Sequence, residues 1–457
     1  MADAPPAEWV AWAKSTFDCE ICRCAPSTFP GYGRGMAALE QIQRGECVAR
    51  LPLSRCLTMD TADQSLALSS VLPCLPESLR QSSGAVLALL LLSGRGREDE
   101  TLQHVKGYLE LMPSTPESLM AWTEDELADL AGSKWAMIAE QSRADIEEEF
   151  AELQEALGAD AMEKLKIDID SYLWALGLIS SRALRFYMGA EEQPLQVLVP
   201  IHDMFNHSSE IKEEEDGDTV RLEKHGDDFY VSVFATKDYQ CGEQVFICFS
   251  NASNGRLLLY AGFVAESNAN DSVELTLTLP AVPEALPLYG KLVDMFDVPE
   301  LRQGQAVSED MHEKYEFVQL PSDEASTDPQ SVIVHFRMTL EKPLGEEILL
   351  SFLRLGTLTS KSLTSEVVAR VMEGQVISTA HEIGALQVLR KGIQAMLSGY
   401  PRTLEEDEAA LKALPAGPDR LNSSKAKALV VVSQEKRIFQ AALHTLDSKL
   451  AQLQSAA

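Results

Sequence analysis

The sequence predicts an α+β protein whose strand-rich and helical segments alternate in blocks and which ends in a mainly α-helical C-terminal part. Three observations carry this reading. Hydrophobic residues make up 45 % and charged residues 24 % of the 457 positions, ordinary values for a globular chain. Short apolar runs punctuated by glycine and proline fill about 30–75 and 194–279. Longer stretches with helical spacing fill about 78–190 and the region from 349 onward. The length suggests roughly two to four domains and suffices for a full core without disulfides or metals.

The elements follow in order. Gly31-Tyr-Gly-Arg-Gly35 punctuates the first strands, Gln41-Ile-Gln-Arg-Gly-Glu46 reads as a turn, and Cys47 to Pro52 as a short strand ended by proline. Ala85 to Leu92 reads as a buried helix. Ser118 to Leu130 reads as helical, with Glu124, Glu126 and Asp129 on its polar face, Ile138 to Lys166 as an acidic helix, and Tyr172 to Tyr187 as a more apolar one. Strands return at Val197 to Pro200, Arg221 to Glu223, Phe229 to Phe234, Gln244 to Phe249 and Ser272 to Leu279. Glu210 to Asp218 and Pro321 to Gln330 read as surface loops. Leu349 to Leu355, Leu363 to Leu397 and Ser424 to Leu453 read as helices, and Thr403-Leu-Glu-Glu406 fits a capping box.

Charge excludes some functions. Seventy acidic against 39 basic residues leave a formal charge of −31. That opposes affinity for phosphate backbones and anionic membranes and favours a basic protein partner. The longest apolar run is far shorter than the ~20 residues of a membrane helix. The acidic start without an apolar run fits neither a signal peptide nor a typical transit peptide, so an intracellular site is expected, cytoplasmic or nuclear, with a plastid not excluded. Cys19, Cys22 and Cys24 cluster, but no second CxxC or paired histidine follows, so a strand of reduced thiols is expected rather than a metal.

Three stretches could carry chemistry. Gly33-Arg-Gly35 permits close backbone approach to a ligand, or is an ordinary turn; no third glycine makes it a dinucleotide fingerprint. Pro200-Ile-His-Asp-Met-Phe-Asn-His-Ser208 concentrates Asp203, Asn206 and His207 behind an apolar strand, and could hold a purine edge or satisfy its own backbone. Gly242 to Ser250, followed by Leu257 to Val264, reads alone as a core strand, a turn and a helix; no GxSxG elbow accompanies it, which disfavours a hydrolase.

Taken together and in this order, these stretches resemble a SET-domain methyltransferase of the Rubisco large-subunit methyltransferase type, a group that includes actin-histidine methyltransferases. Gly33-Arg-Gly35 with Ile42 to Pro52 matches the amino-terminal SET strands, and Ile179-Ser-Ser-Arg-Ala183 the family's SR helix. Pro200 to Ser208 matches P-x-x-D-x-x-N-H-S, and Gly242 to Val264 the carboxy-terminal motif with its GF. Leu349 to Leu355, Tyr400 to Glu408 and Ser433-Gln-Glu-Lys436 resemble the helical substrate-binding domain. The resemblance implies an N-terminal extension at 1–29, a SET domain at 30–265 with a helical insertion at about 78–190, and a helical substrate-binding domain at 266–457. It also implies a pseudoknot that brings Pro200–Ser208 and Phe246–Phe249 together.

The implied cofactor is S-adenosylmethionine. The resemblance places Arg34, Gly35 and Met36 against it through their backbone, Arg182 at its carboxylate, Asn206 and His207 at its adenosyl and amino groups, and Ala261, Gly262 and Phe263 on its adenine side. It implies no metal. Asp203 and Tyr260 are the further candidate catalytic side chains. Two departures stand out: Phe249 occupies the family's catalytic tyrosine position, and Ala261 the tyrosine before GF, with Tyr260 one residue away. One residue along a helix turns a side chain by about 100°, so Tyr260 does not simply replace it. The implied activity is protein-lysine N-methylation of a non-histone substrate by a monomer. Histidine methylation and a non-catalytic SET-fold binding module are the alternatives that Phe249 opens.

Overall fold

In the computed structural model of the chain, the described residues are 4–95, 103–115, 118–186, 194–211, 219–280, 288, 306–307, 318–319, 331–345 and 347–456. The first helix, Pro6–Phe17, buries Trp9, Ala13 and Phe17, which its periodicity puts on one face. It ends at Asp18, whose left-handed backbone (φ 50°) turns the chain into the strands.

Those strands are β1 (Ile21–Cys22), β2 (Cys24–Phe29), β3 (Gly33–Ala38) and β4 (Cys47–Pro52). After the helical insertion come β5 (Ala183–Phe186), β6 (Leu195–Leu198), β7 (Asn206–His207), β8 (Val220–His225), β9 (Asp228–Phe234) and β10 (Gln244–Ile247). Two four-stranded sheets result, ordered β1-β4-β9-β8 and β2-β3-β10-β7. The second holds a parallel pair: Asn206 lies opposite Phe246 and His207 opposite Ile247, and the Ser208 N–H donates to the Ile247 carbonyl at 3.0 Å. Pro200–Ser208 and Phe246–Phe249 thus meet, as the resemblance implies.

Within the insertion, the helix Ser83–Gly94 is buried on every face from Ala85 on, and Ser82 caps it by accepting from the Ala85 N–H. The acidic helix spans Lys134–Leu165 and is interrupted at Gly158 (φ 72°). A capping box on Asp168 starts the helix Ile169–Arg182, which delivers Arg182 at its last position.

Two apolar cores form. One lies beneath the two four-stranded sheets and includes the Ser83–Gly94 helix. The other joins the C-terminal helices to Leu119, Trp122, Trp135 and Ala139 of the insertion and to Leu258 and Leu259. The C-terminal helices are Glu347–Gly356, Ser365–Met372, Thr379–Ser398, Leu404–Ala413 and Ser424–Ala456, and the capping box on Thr403 is present. No described helix is long and apolar enough to cross a membrane.

Several expectations need correction. The helix expected over Tyr172–Tyr187 stops at Arg182, because Ala183–Phe186 pairs with β6 along its whole length; residue 187 lies outside the described residues. Ser118–Leu130 is helical in two short pieces, Leu119–Ala121 and the contiguous Glu124–Leu127 and Ala128–Leu130, on either side of an extended Trp122. Leu363–Leu397 is split in two, with Gly374 in the left-handed region (φ 74°) and Ser378 capping the second helix. The C-terminal part also contains a sheet, ordered β11 (Ser272–Pro280), β14 (Ser331–Thr339) and β13 (Val318–Gln319). Its strand β14 was not expected, although Val332, Val334, Phe336 and Met338 alternate as in a half-buried strand; it pairs with β11, far away in sequence. A short strand β12 (Ala306–Val307) adds to β5. The expected loops at Pro321–Gln330 and in most of Glu210–Asp218 lie outside the described residues.

Candidate active site

The hairpin of β2 and β3 opens the site. Gly31 (φ 81°) and Gly33 (φ 65°) hold the left-handed conformations its turn requires. Gly35 answers a different need. A Cβ there would stand 2.7 Å from both the Asn206 Nδ2 and the Gln244 Nε2. The Asn206 amide is fixed in place because it donates to the Arg34 carbonyl at 3.0 Å. The Arg34 guanidinium in turn donates to the Leu111 carbonyl at 2.5 Å.

Opposite lies a buried polar knot. Arg182 Nη1 donates to the Asp203 carbonyl at 2.9 Å and meets its carboxylate at 3.3 Å. The Tyr108 hydroxyl, from the insertion, donates to the same carboxylate oxygen at 2.9 Å. Burial pushes the Asp203 carboxyl up, while Arg182, Tyr108 and Arg34 draw it down. The carboxylate therefore ties three segments together. Before it stands Ile201, a fully buried β-branched residue at φ 71° and ψ −46°, the geometry of a strained γ-turn. Such strain costs about 1–3 kcal/mol and is tolerated where the surroundings enforce it.

His207 has a defined tautomer. The Phe249 N–H donates to its Nδ1 at 3.1 Å, so Nε2 carries the hydrogen. Burial pulls its pKa down to about 4, which leaves the ring neutral. His202 is likewise buried and falls to about 3. Around His207 stand Phe249 and Phe263, with ring centroids 5.5 Å and 5.6 Å away and 6.0 Å from each other. Gly262 ends the Asn254–Ala261 helix in a left-handed cap (φ 76°) and turns Phe263 toward that cluster.

Many of these residues border one cavity of about 1540 Å³. Of the residues expected from sequence, Arg34, Arg182, Asp203, Asn206 and His207 line it, and so do Phe249, Tyr260, Ala261 and Phe263. Gly35, Met36 and Gly262 do not: Gly35 is crowded by two amides, Met36 is fully buried in the first core, and Gly262 serves as the helix cap. Tyr260 packs against the second core, and its carbonyl accepts from the Ser180 hydroxyl. Sequence reasoning missed the wall from the C-terminal part, where Pro418, Leu421 and Asn422 reach the same cavity. The Pro418 carbonyl approaches Gly31 so closely that a Cβ there would sit 3.2 Å from it. No signal short of the fold marks that wall.

The donor set suits a ligand that carries a carboxylate and further acceptors, as S-adenosylmethionine does. Among the described residues the buried Arg182 Nε and His207 Nε2 have no hydrogen-bond partner, and both residues line the cavity. The opposite wall is aromatic and carries no hydroxyl at 249 or 261.

Comparison with known proteins agrees with this architecture. Residues 33–250 match the SET domain, and residues 312–439 match the Rubisco LSMT substrate-binding domain. The ribulose-1,5-bisphosphate carboxylase/oxygenase large subunit N-methyltransferase of Nicotiana tabacum is 25 % identical over 390 residues, covering 83 % of this chain and 70 % of its own. The [fructose-bisphosphate aldolase]-lysine N-methyltransferase of Arabidopsis thaliana is 27 % identical over 414 residues, covering 89 % and 76 %. The actin-histidine N-methyltransferase of Danio rerio is 23 % identical over 280 residues, covering 59 % and 44 %. In fold, the structure of the SET domain of LSMT bound to lysine and AdoHcy superposes with a TM-score of 0.70 at 21 % identity, covering 98 % of this chain and 92 % of that one.

Proposed function

Because the chain belongs to the SET-domain methyltransferases that carry a Rubisco LSMT substrate-binding domain, we propose that it methylates a lysine side-chain nitrogen of a non-histone protein, using S-adenosylmethionine. One observation carries this reading. The parallel pairing of β7 and β10 sets Asn206 and His207 beside Phe246 and Ile247, on a cavity that Arg34 and Arg182 also line.

When bound, S-adenosylmethionine supplies an electrophilic methyl group on a sulfonium. Arg182 Nε–H and His207 Nε2–H are the donors that would hold its carboxylate and other acceptors. Asn206 would act through its hold on Arg34, and Ala261 and Phe263 would close the adenine side. Asp203 would orient Arg182 through the oxygen that also accepts from the Tyr108 hydroxyl. Tyr260, packed against the second core, would wall the acceptor end.

The protein's main task is then alignment of a neutral nitrogen with the methyl carbon. A lysine enters charged, with a reference pKa near 10.4, and the half-buried Phe249 beside Phe263 and the neutral His207 disfavour the ammonium. Two residues favour a second acceptor, histidine: Phe249 and Ala261 provide no hydroxyl, and an imidazole is largely neutral at pH 7 without help. The same two residues support binding without turnover as a third reading.

The substrate surface is proposed to be basic, to complement a chain of charge −31. An intracellular site of action fits the chloroplastic designation of the tobacco and Arabidopsis relatives. The test is transfer of radiolabel from S-adenosylmethionine into proteins of a cell extract, with Asn206→Ala as control and its folding checked by circular dichroism. A labelled band absent from the control, with label released as methyl-lysine on hydrolysis, supports the proposal. Label in methyl-histidine selects the second reading. Cofactor binding with no label in any extract fraction selects the third.

A further inference from the structure

His202 lines the cavity and is buried, and both of its ring nitrogens lack a hydrogen-bond partner among the described residues. Native interiors rarely leave such atoms unpaired, and each unpaired one costs stability. The backbone fixes where the ring sits. The strained Ile201 precedes it, and the Met204 and Phe205 N–H groups donate to the Ile201 and His202 carbonyls at 3.1 Å each, closing a short turn. Burial pulls the ring's pKa down to about 3, so it is neutral and carries one donor and one acceptor nitrogen. The next residue, Asp203, also lines the cavity and has an unused atom. Its Oδ2 accepts from Tyr108 and Arg182, but its buried Oδ1 has no partner among the described residues. Arg182 balances the carboxylate charge, so Oδ1 is the open acceptor of a neutral ion pair. Two consecutive residues of the cavity wall therefore each bring an unused acceptor.

The number of acceptors discriminates between acceptor groups. A neutral primary amine keeps two N–H groups when its lone pair points at a methyl carbon. A neutral imidazole acting through one nitrogen keeps a single N–H, on the other nitrogen. Two neighbouring acceptors match the amine. We propose that His202, together with Asp203 Oδ1, binds the two N–H groups of the acceptor amine and so makes the cavity select lysine over histidine. This role rests on the cavity being a methylation site. The contact takes the part of the hydroxyl that Phe249 and Ala261 do not supply. The α-ammonium of S-adenosylmethionine is the other amine at hand, and the two differ in what a substitution at 202 changes.

The test is titration of the full chain, saturated with S-adenosylhomocysteine, by Nα-acetyl-lysine amide and by Nα-acetyl-histidine amide, followed by NMR of isotope-labelled histidine rings. The lysine probe should shift the His202 ring signals and bind more tightly than the histidine probe. It should bind His202→Leu about tenfold more weakly than the wild type, the loss of about one hydrogen bond. His202→Gln, whose amide oxygen still accepts, should recover part of that loss. Calorimetry should give all three proteins the same affinity for S-adenosylhomocysteine. His202→Leu should also resist denaturant at least as well as the wild type, because it removes two buried atoms that lack partners, whereas loss of a histidine needed for folding would destabilise the chain. A lysine-probe affinity that ignores residue 202, a histidine probe that binds more tightly, or a less stable His202→Leu overturns the proposal. So does a S-adenosylhomocysteine affinity that falls in His202→Leu, which would give the ring to the cofactor's α-ammonium. A wild type that takes up no S-adenosylhomocysteine would refute the cofactor reading by itself, and the lysine titration repeated without it would still decide the role of His202.

Discussion

The two ends of the cavity are built on opposite principles. At one end Arg182, Asp203 and Tyr108, drawn from a helix end, a strained turn and the insertion, lock one another through charged hydrogen bonds. At the other, His207, Phe249 and Phe263 meet as rings, and the polar link among these described residues is the Phe249 N–H to His207 Nδ1. The polar end offers Arg182 Nε, a buried donor with no hydrogen-bond partner among the described residues. The aromatic end has no hydroxyl at 249 or 261, where the resemblance to the family implies tyrosines. Cofactor binding and turnover are therefore expected to respond to different substitutions.

The largest effect should come from cutting the polar knot. Asp203→Ala leaves Arg182 without its carboxylate and the buried Tyr108 hydroxyl without an acceptor. It should cost about 3 kcal/mol of folding stability, measurable by denaturant unfolding, and abolish cofactor binding. A variant as stable as the wild type would show that the knot is not structural.

The next contrast is between the cavity and the second core. His202 and His207 have folded pKa values depressed by burial, to about 3 and about 4. Their unfolded forms take up protons first, so stability falls as pH drops from about 6.5 toward those values. Asp271 and Glu435 behave oppositely: burial raises them to about 6 and about 7, so the stability they contribute at low pH is lost as pH rises through those values. Glu435 accepts from the Tyr400 and Ser133 hydroxyls, across the contact between the C-terminal helices and the insertion. The two effects offset each other between about pH 4.5 and 6. Glu435→Gln removes one of them, so its stability should rise more steeply from pH 5 to 7.5 than that of the wild type, by on the order of 1–3 kcal/mol. Parallel curves would remove Glu435 from the account.

Gly35→Ala sharpens the comparison from the other side. Its Cβ must push aside the Asn206 amide that holds the hairpin, so cofactor affinity should fall by about 1–2 kcal/mol in calorimetry with little change in fold. Phe249→Tyr restores a hydroxyl at the aromatic end. It should raise kcat on a lysine substrate about tenfold, which corresponds to a hydrogen bond of about 1.4 kcal/mol, and leave cofactor affinity unaltered. The smallest effect expected is of salt: KM for a basic substrate should rise with ionic strength as the chain's negative surface is screened.

Much of this was legible because short sequences dictate it. Gly33 and Gly35, the Pro200–Ser208 turn and the β10 strand are local signals, and five motifs in order define the family. What was not legible depends on partners remote in sequence. Ala183–Phe186 has helical company on one side but is drawn into a strand by β6. β14 pairs with β11 across a long stretch of chain, although its own alternation was readable. The Ile201 strain and the Pro418–Asn422 wall exist only because separate segments close on one cavity.

The most direct test of separable ends is calorimetric titration of S-adenosylmethionine into three proteins: wild type, Arg182→Ala and Phe249→Tyr. The account predicts that the wild type and Phe249→Tyr bind with the same affinity, while Arg182→Ala loses binding. A wild type that does not bind, or an affinity that follows residue 249 rather than residue 182, would contradict it.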